Sequence, residues 1–152
     1  MAEETNFTVH SSPLKVWSLL ADVAGYALWH PHYRFTFPRM RKGDGIVTWN
    51  FTSDFHVRMP FYLEGAEKPG LWTWWAGRPG LLRFEERYEI TPLTNGAAIR
   101  HRFVSRGLVG RIFDRVMREE VRAHMAEQDA ALADRLKVMG RKPGLPKSPG
   151  RR

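Results

Sequence analysis

Residues 108–137 have the sequence LVGRIFDRVMREEVRAHMAEQDAALADRLK, which is one long helical pattern after a run of short aromatic strands. Apolar residues recur at spacings of three and four in its first half, which predicts an apolar stripe on one face of the helix. The stripe consists of Val109, Ile112, Phe113, Val116, Met117 and Val121. A long amphipathic helix after an antiparallel sheet must lay this stripe across the sheet, and a strongly bent sheet would leave a pocket between the two.

The chain ahead of this helix begins with a strand and two short helices. Phe7 and Val9 alternate with polar residues and predict the strand. Ser11 or Ser12 can cap a helix and Pro13 suits its first turn, so a first helix should begin there. A second, shorter helical turn is expected over residues 26–29, after the break at Gly25.

From residue 33 onward the apolar residues recur with a period of two, which predicts six more strands. They are expected at residues 33–37, 47–51, 55–64, 71–76, 82–90 and 98–105. Gly- and Pro-containing turns separate them, and Asn95-Gly96 is a strong hairpin signal. Pro60 predicts that its strand lies at an edge or contains a bulge, because proline has no N–H to donate to a sheet. The order of elements predicts an α+β fold.

Length and composition restrict the class of protein. A chain of 152 residues is expected to form one domain with a real core. The absence of cysteine excludes disulfides and thiolate metal sites. No apolar run approaches the roughly 20 residues that a membrane span needs, and the polar N-terminus is not a secretory signal, so a cytoplasmic protein is expected. No phosphate loop or nucleophile elbow is present, and no cofactor is predicted.

The net charge of +8 is concentrated at the C-terminus, where residues 141–152 carry five basic residues and no acid. Three prolines and two glycines in this segment disfavour helix and strand. We therefore expect a domain over residues 1–139 and a disordered basic tail over 140–152. The rest of the chain is only mildly basic, so there is no strong nucleic-acid signal. A weak contact of residues 141–152 with a membrane or another anionic surface is an alternative role for the tail.

Several segments of the chain carry a family resemblance that extends to about Val138. They are Phe7-Thr8-Val9, Ser12–Trp17, Trp29-His30-Pro31, Glu86–Ile90, Arg100–Phe103 and Gly107–Met117. In this order they resemble the START-like or Bet v 1-like superfamily (SRPBCC), whose bacterial members include polyketide cyclase/dehydrase-like and coenzyme-Q-binding-like proteins. The resemblance implies a helix-grip fold, in which a curved seven-stranded antiparallel sheet surrounds a long C-terminal helix and two short helices separate strands 1 and 2. It also implies a cavity between the sheet and the long helix.

Glu86 and His101 are the first candidates for chemistry. Alternation places each of them among apolar residues on the concave face of its strand. Hairpin geometry around Asn95-Gly96 puts His101 beside Tyr88 or Ile90, with Glu86 one step further along the same face. A carboxylate and an imidazole in an aromatic cavity would have shifted pKa values suited to proton transfer. The alternative is a buried, hydrogen-bonded polar cluster without turnover. Burial alone would lower the pKa of His101, whereas an ionised Glu86 close by would raise it. Because Tyr88 or Ile90, rather than Glu86, is expected opposite His101, we expect that the two do not pair and that the pKa of His101 is lowered.

Two further histidine motifs are weaker candidates. Glu120 and His124 lie four apart on the last helix and would either face the cavity or form a surface pair at its flank. The sequence Trp29-His30-Pro31-His32, with His56, has few of the features of a metal site, and no metal is predicted. A role at the mouth of a pocket, or as a cap, is more plausible for His30.

The densest aromatic cluster is Leu71-Trp72-Thr73-Trp74-Trp75. Trp72 and Trp74 share one face of the strand and Trp75 lies on the other. At least one of these indoles would then face outward as a partner or membrane contact, unless a helix covers it.

The function predicted from the sequence is binding, and possibly transport, of a hydrophobic or aromatic small molecule between the sheet and the last helix. The expected lining residues are Phe35, Phe37, Trp49, Phe51, Trp72, Trp74, Phe84, Glu86, Tyr88, His101, Phe103, Phe113, Met117, Val121 and His124. One alternative is a polyketide cyclase- or dehydratase-like enzyme with Glu86 and His101 as acid–base groups and Tyr88 holding an enolate. Another is an interaction protein that docks through the basic tail and Trp72–Trp75.

Overall fold

The computed structural model describes residues 2–39 and 43–140, and the predicted tail beyond Gly140 lies outside the described residues. In chain order the elements are β1 (Ala2–Val9), α1 (Pro13–Ala21), a 3-10 helix (Val23–Leu28), β2 (Tyr33–Thr36), β3 (Gly45–Asn50), β4 (His56–Glu67), β5 (Leu71–Arg78), β6 (Leu82–Leu93), β7 (Gly96–Arg106) and α2 (Gly110–Gly140). The predicted α+β order of strand, two helices, six strands and long helix is confirmed. Ser12 caps α1 by accepting a hydrogen bond from the backbone N–H of Lys15, and Pro13 opens the helix.

The seven strands form one antiparallel sheet in the order β1-β7-β6-β5-β4-β3-β2. The chain therefore returns from β7 to pair with β1, while β2–β7 follow one another as neighbours. The hairpin at Asn95-Gly96 has Tyr88 opposite His101, which is one of the two registers that the sequence left open. The sheet with α2 and the two short helices is the helix-grip architecture.

Pro60 lies in a strand with neighbours on both sides, so β4 is not an edge strand. The pairing of β4 with β5 nevertheless begins only at Phe61. Pro60 therefore pairs with β3 on one side and precedes the paired part of β4 on the other. The irregularity of this strand occurs between Leu63 and Gly65 instead. The missing N–H of proline is thus accommodated by a local free edge and not by a bulge at Pro60.

The buried stripe of α2 differs from the predicted one. Its buried apolar residues are Val121, Met125, Leu132 and Leu136. In the first half of the helix, Phe113 and Met117 are half-buried, whereas Ile112 and Val116 are 67% and 66% exposed. The prediction that Ile112 and Val116 belong to the inward stripe is wrong. The helix lies on the sheet mainly through its central and C-terminal turns, so its first turns keep one apolar face in solvent.

Aromatic side chains fill the space that the sequence predicted as a pocket. Trp49 packs against Phe51, Phe84 and Phe103 with ring centroids 4.2, 5.2 and 5.4 Å apart. The main clefts of the described chain have volumes of about 230 to 500 Å³, and Trp49, Glu86 and His101 line none of them. Large rings project from neighbouring strands of the concave face, and together they reach α2.

Candidate functional site

Three ionisable side chains meet in the interior. His101 on β7 is fully buried, and its Nε2 lies 3.1 Å from Oε1 of Glu86 on the adjacent strand β6. Its Nδ1 lies 2.7 Å from Oδ1 of Asp129 on α2. One imidazole therefore joins a carboxylate of the sheet to a carboxylate of the helix. We call these three residues the buried triad, in which Glu86 and His101 are fully enclosed and Asp129 is partly exposed.

The hairpin register explains how the sheet contributes to the triad. Tyr88 lies directly opposite His101, and the two rings stack with centroids 4.2 Å apart. Glu86 is two residues earlier on the same face, and its longer side chain reaches His101 diagonally across the strand pair. The expectation that Glu86 would not pair with His101 is therefore wrong. Of the two residues expected opposite His101, the structure has Tyr88.

The triad keeps His101 protonated at neutral pH. Burial by itself lowers the pKa of His101, but the hydrogen bonds to Asp129 and Glu86 and the charges of both carboxylates together raise it to about 9. The predicted lowering of this pKa is wrong. Asp129 could not be identified from the sequence, because its helix is brought to the sheet only by the tertiary fold.

Hydroxyl groups extend the triad on both sides. Thr5 on β1 donates to Oδ2 of Asp129 over 2.5 Å, and the Tyr33 hydroxyl donates to Oε1 of Glu86 over 3.3 Å. Burial and the nearby charge of Glu86 raise the pKa of Tyr33 and of Tyr88 well above the ordinary range. Both phenols therefore stay neutral and remain hydrogen-bond donors.

Two buried polar atoms beside the triad have no hydrogen-bond partner among the described residues. They are Nε1 of Trp74 and Oε1 of Gln128. Trp74 faces Glu86 across the β5–β6 pair, and its ring centroid lies 5.2 Å from that of Tyr33. Buried polar groups in proteins are normally paired, so an unpaired donor and an unpaired acceptor beside the triad favour a bound polar group. The Gln128 side chain interacts with the Tyr33 hydroxyl. We call Tyr33, Trp74, Glu86 and Gln128 the polar corner.

A pair of stacked imidazoles lies nearer the surface than the triad. His32 and His124 stack with ring centroids 3.7 Å apart, and Nε2 of His32 lies 2.7 Å from Oε2 of Glu127. Trp49 donates its indole N–H to Nδ1 of His124 over 3.2 Å. Burial and the neighbouring His32 lower the pKa of His124, and Glu127 opposes this effect. The imidazole pair therefore links the surface to the aromatic interior through Trp49.

The cleft beside this pair has a volume of about 500 Å³ and is open to solvent. It is lined by Pro31, His32, Asn50, Phe51, Thr52, Ser53 and His56. Phe51 stacks on Trp49 and so separates this cleft from the interior.

The sequence family described as polyketide cyclase / dehydrase and lipid transport matches residues 3–137. The chain belongs to this family. The START-like and Bet v 1-like resemblance inferred from the sequence is thereby confirmed, and family membership supports hydrophobic-ligand binding or cyclase-type activity in general terms. No curated protein matches the chain with significant sequence similarity.

Several solved structures share the fold of this family member, although their sequences are only distantly similar to it. A protein from Thermus thermophilus superposes with a TM-score of 0.72 at 12% identity, covering 93% of this chain and 100% of its own. The Streptomyces aromatase/cyclase Zhui has a TM-score of 0.65 at 17% identity, covering 95% and 98%. A START superfamily protein from Mycobacterium smegmatis has a TM-score of 0.63 at 17% identity, covering 91% and 98%.

Most of the side chains predicted to line the site of this family member lie in its interior. The buried ones are Phe35, Trp49, Phe51, Trp72, Trp74, Phe84, Glu86, Tyr88, His101, Phe103, Val121 and His124, with Phe113 and Met117 half-buried. Phe37 differs, because it lies beyond the end of β2 and is 48% exposed. Its inclusion among the lining residues is corrected. Glu120 is also exposed, so Glu120 and His124 do not face the same environment.

His30, the first histidine of the motif at residues 29–32, has a structural role. His30 is buried between Tyr26 and Tyr33, and its Nδ1 accepts hydrogen bonds from the backbone N–H groups of His32 and Tyr33. The predicted role of His30 at a pocket mouth is wrong, and His32 occupies that position instead. Within residues 2–39 and 43–140, no three His, Asp or Glu side chains are arranged to hold a metal ion.

The tryptophan cluster of β5 does not form a free docking surface. Trp72 and Trp74 are buried, and Trp75 on the outer face stacks on Tyr62 with centroids 4.1 Å apart. The Arg83 guanidinium lies 4.3 Å from the centroid of Trp75 and covers it further. Docking through Trp72–Trp75 is therefore not supported. The other part of that alternative, the basic tail, lies outside the described residues.

Three members of the site do not follow from the sequence analysis above. The sequence pattern places Tyr33 in a strand, where it occupies the same inward alternation as Phe35. Gln128 and Asp129 lie in the half of α2 beyond the predicted stripe. Extending the spacing of three and four through Val121, Met125 and Leu132 places Gln128 within an apolar face, which is the signal that would have identified it.

Proposed function

We propose that this protein binds an apolar small molecule that carries an oxygen-containing polar group, in the interior between the sheet and α2. The aromatic side chains around Trp49 hold the apolar part, and the polar corner holds the polar group. Membership in a family described by polyketide cyclisation, dehydration and lipid transport supports a ligand of this kind.

The observation that carries the proposal is the unpaired donor and acceptor at the polar corner. The indole N–H of Trp74 suits a carbonyl or hydroxyl oxygen, and Oε1 of Gln128 suits a hydroxyl. Trp74 lies opposite Glu86 across the β5–β6 pair, and Gln128 interacts with the Tyr33 hydroxyl, which donates to Glu86. A hydroxyl or carbonyl on an aromatic ring would satisfy these atoms and leave the ring against the apolar walls.

Entry of a ligand requires side chains to move, because aromatic rings fill the interior. The first half of α2 is the wall best able to move, since Phe113 and Met117 are only half-buried there. Burial of a ligand ring would contribute about 25 cal/mol per Å² of apolar area toward the free energy of displacing these side chains.

The test compares 2-naphthol with naphthalene, two probes of similar size that differ by one hydroxyl. Tryptophan fluorescence titrations would measure both affinities in the wild type and in Gln128→Leu, with Glu119→Gln on the exposed face of α2 as the matched control. We expect Gln128→Leu to weaken 2-naphthol about tenfold, as one buried hydrogen bond is lost, and to leave naphthalene nearly unchanged.

Equal effects on the two probes, or no saturable binding of either, would contradict the proposal. Native mass spectrometry of protein purified from its own host is an independent measurement. A co-purifying molecule with both an aromatic or aliphatic part and a polar oxygen is the expected result.

A second candidate is an acid–base enzyme, which the position of Glu86 favours. Glu86 is a buried carboxylate beside an imidazolium and a phenol, and it would remove a proton from a C–H next to a carbonyl. The electron pair of that bond would form an enolate, whose oxygen would accept a hydrogen bond from Trp74 or Tyr33. Tyr33, and not the predicted Tyr88, has its hydroxyl on Glu86, since the Tyr88 ring stacks on His101.

Glu86→Gln distinguishes the two candidates. An enzyme that uses Glu86 as a base would lose at least about a hundredfold in turnover of a polyketone substrate, while the affinity for 2-naphthol changes far less. Unchanged turnover would exclude Glu86 as the base.

A further inference from the structure

The end of the molecule at which α2 begins carries a set of exposed apolar side chains. They are Leu81, Leu108, Val109, Ile112 and Val116, with exposed fractions of 49%, 82%, 40%, 67% and 66%. They come from the β5–β6 turn, the β7–α2 connection and the first turns of α2. We call them the apolar tip.

Backbone contacts make the apolar tip one continuous surface. The N–H of Leu108 donates to the carbonyl of Gly80 over 3.1 Å, and that of Val109 donates to the carbonyl of Leu81 over 3.0 Å. Gly107 allows this approach, because it has a φ of 105° and a Cβ there would lie 2.5 Å from the Leu81 carbonyl oxygen. Ile112 and Val116 continue the surface along one face of α2.

Arginines lie at the strand ends and in the helical turns that carry the apolar tip. Arg78, Arg106, Arg111 and Arg115 are all exposed, and no carboxylate of the described residues forms an ion pair with them. Further along α2 the arrangement changes, since Arg118 and Arg122 both pair with Glu3. The nearest acid in the first turns, Asp114, accepts a hydrogen bond from the hydroxyl of Ser105. This end of the described chain therefore presents apolar side chains within a positively charged border.

We propose that the apolar tip docks on the surface of an anionic lipid bilayer. Leu108 and Ile112 would insert among the lipid headgroups, and the surrounding arginines would contact the phosphates. The apolar side chains protrude from a helix and two turns, a shape suited to insertion into a soft interface. A second copy of this chain is a poor occupant, because its own arginines would face those of the first.

Docking at this position has a geometric consequence for α2. Phe113 lies on the inner side of the same helical turns and contacts Phe84, with centroids 4.8 Å apart. The first turns of α2, which form the least buried wall of the interior, would then lie next to the lipid. The docking inference itself does not depend on the identity of any ligand.

The test measures co-sedimentation of the full chain with vesicles of phosphatidylcholine alone and with vesicles in which about one lipid in three is phosphatidylglycerol. The double variant Leu108→Ser/Ile112→Ser removes the apolar contact, and Arg111→Glu/Arg115→Glu reverses the charge. Leu28→Ser is the matched apolar control, because Leu28 is 73% exposed on the 3-10 helix. Lys137→Glu at the other end of α2 is the charge control. Removing residues 141–152 separates any contribution of the basic segment.

We expect binding to the anionic vesicles only, with a steep decrease as salt is raised. Both double variants should weaken it about tenfold or more, while both controls and the shortened chain keep most of it. Four results would overturn the inference: no binding to anionic vesicles, equal loss in the controls, loss only on removal of 141–152, or a wild-type dimer that Ile112→Ser dissociates. Circular dichroism of each variant confirms that the substitutions at exposed positions leave the fold intact.

Discussion

At His101 two carboxylates from different elements hold a proton on one imidazole. Removing a charged group from water is costly, and the energy is recovered only where hydrogen bonds satisfy the buried charge. Here both ring nitrogens are bonded, Nε2 to Glu86 and Nδ1 to Asp129. The buried triad therefore satisfies the charge of His101 and holds Glu86 in place within the polar corner.

The first prediction follows from the pKa of His101. This pKa is raised to about 9 in the folded protein, so the folded state binds the proton more tightly than the unfolded state, whose histidine pKa is about 6.5. The stabilisation is complete below the unfolded value and is lost as the pH rises through the folded value. We expect the free energy of unfolding to fall by about 3 kcal/mol between pH 6 and pH 10 from this residue.

Urea denaturation across this pH range checks the prediction. Asp129→Asn removes one of the two charges that raise the pKa, so its stability should decline at lower pH and by a smaller amount. NMR titration of the His101 ring gives the pKa directly. A ring that titrates below about 6.5, the ordinary histidine value, would show that the triad does not hold the proton.

At the scale of elements, α2 is the helix whose two halves face different environments. Leu132 is 1% exposed in its C-terminal half, and Ile112 is 67% exposed near its N-terminus. Both residues are aliphatic and both belong to a repeat of three and four, so the sequence pattern alone treats them alike. Their burial is decided by which turns of α2 lie on the sheet.

The second prediction compares alanine substitutions at these two positions. Leu132→Ala should lower the free energy of unfolding by about 2–5 kcal/mol, because it leaves a cavity under the helix. Ile112→Ala should change it by less than about 0.5 kcal/mol. Urea denaturation of both variants under the same conditions, at a pH below the folded pKa of His101, gives the comparison. Similar losses at the two positions would mean that the first turns of α2 pack on the sheet after all.

For the whole molecule, the filled interior is the property that controls access to the polar corner. Phe113 contacts Trp49 and Phe51 as well as Phe84, with centroids 6.2, 6.1 and 4.8 Å away. It therefore joins the loosely packed half of α2 to the aromatic side chains of the sheet.

In residues 2–39 and 43–140, no helix is both long and apolar enough to cross a membrane.

The third prediction is that Phe113→Ala opens the interior. The variant should lose about 2 kcal/mol of stability, because a half-buried ring is removed, and should bind naphthol-sized probes more tightly than the wild type. Fluorescence titration and urea denaturation measure the two effects. Phe55→Ala, at a ring that is 55% exposed, is the control. Unchanged probe affinity in Phe113→Ala would place the binding site elsewhere.

The sequence by itself determined the order of elements, the α+β fold and the presence of the last hairpin. These features follow from local chemistry: alternation along single strands, the helix start at Ser12-Pro13, and the Asn95-Gly96 turn, which restricted the residue opposite His101 to Tyr88 or Ile90. The inward face of β6 and β7, and hence the burial of Glu86 and His101, could be predicted for the same reason.

Only the tertiary structure decided how α2 meets the sheet. Asp129 is 28 residues from His101 in sequence, and no local pattern predicts that their side chains are in contact. The filling of the predicted pocket, the exposure of Ile112 and Val116 and the raised pKa of His101 depend on the same packing. Packing between distant elements depends on the shapes of all the side chains between them, whereas local periodicity specifies only which face of each element is apolar.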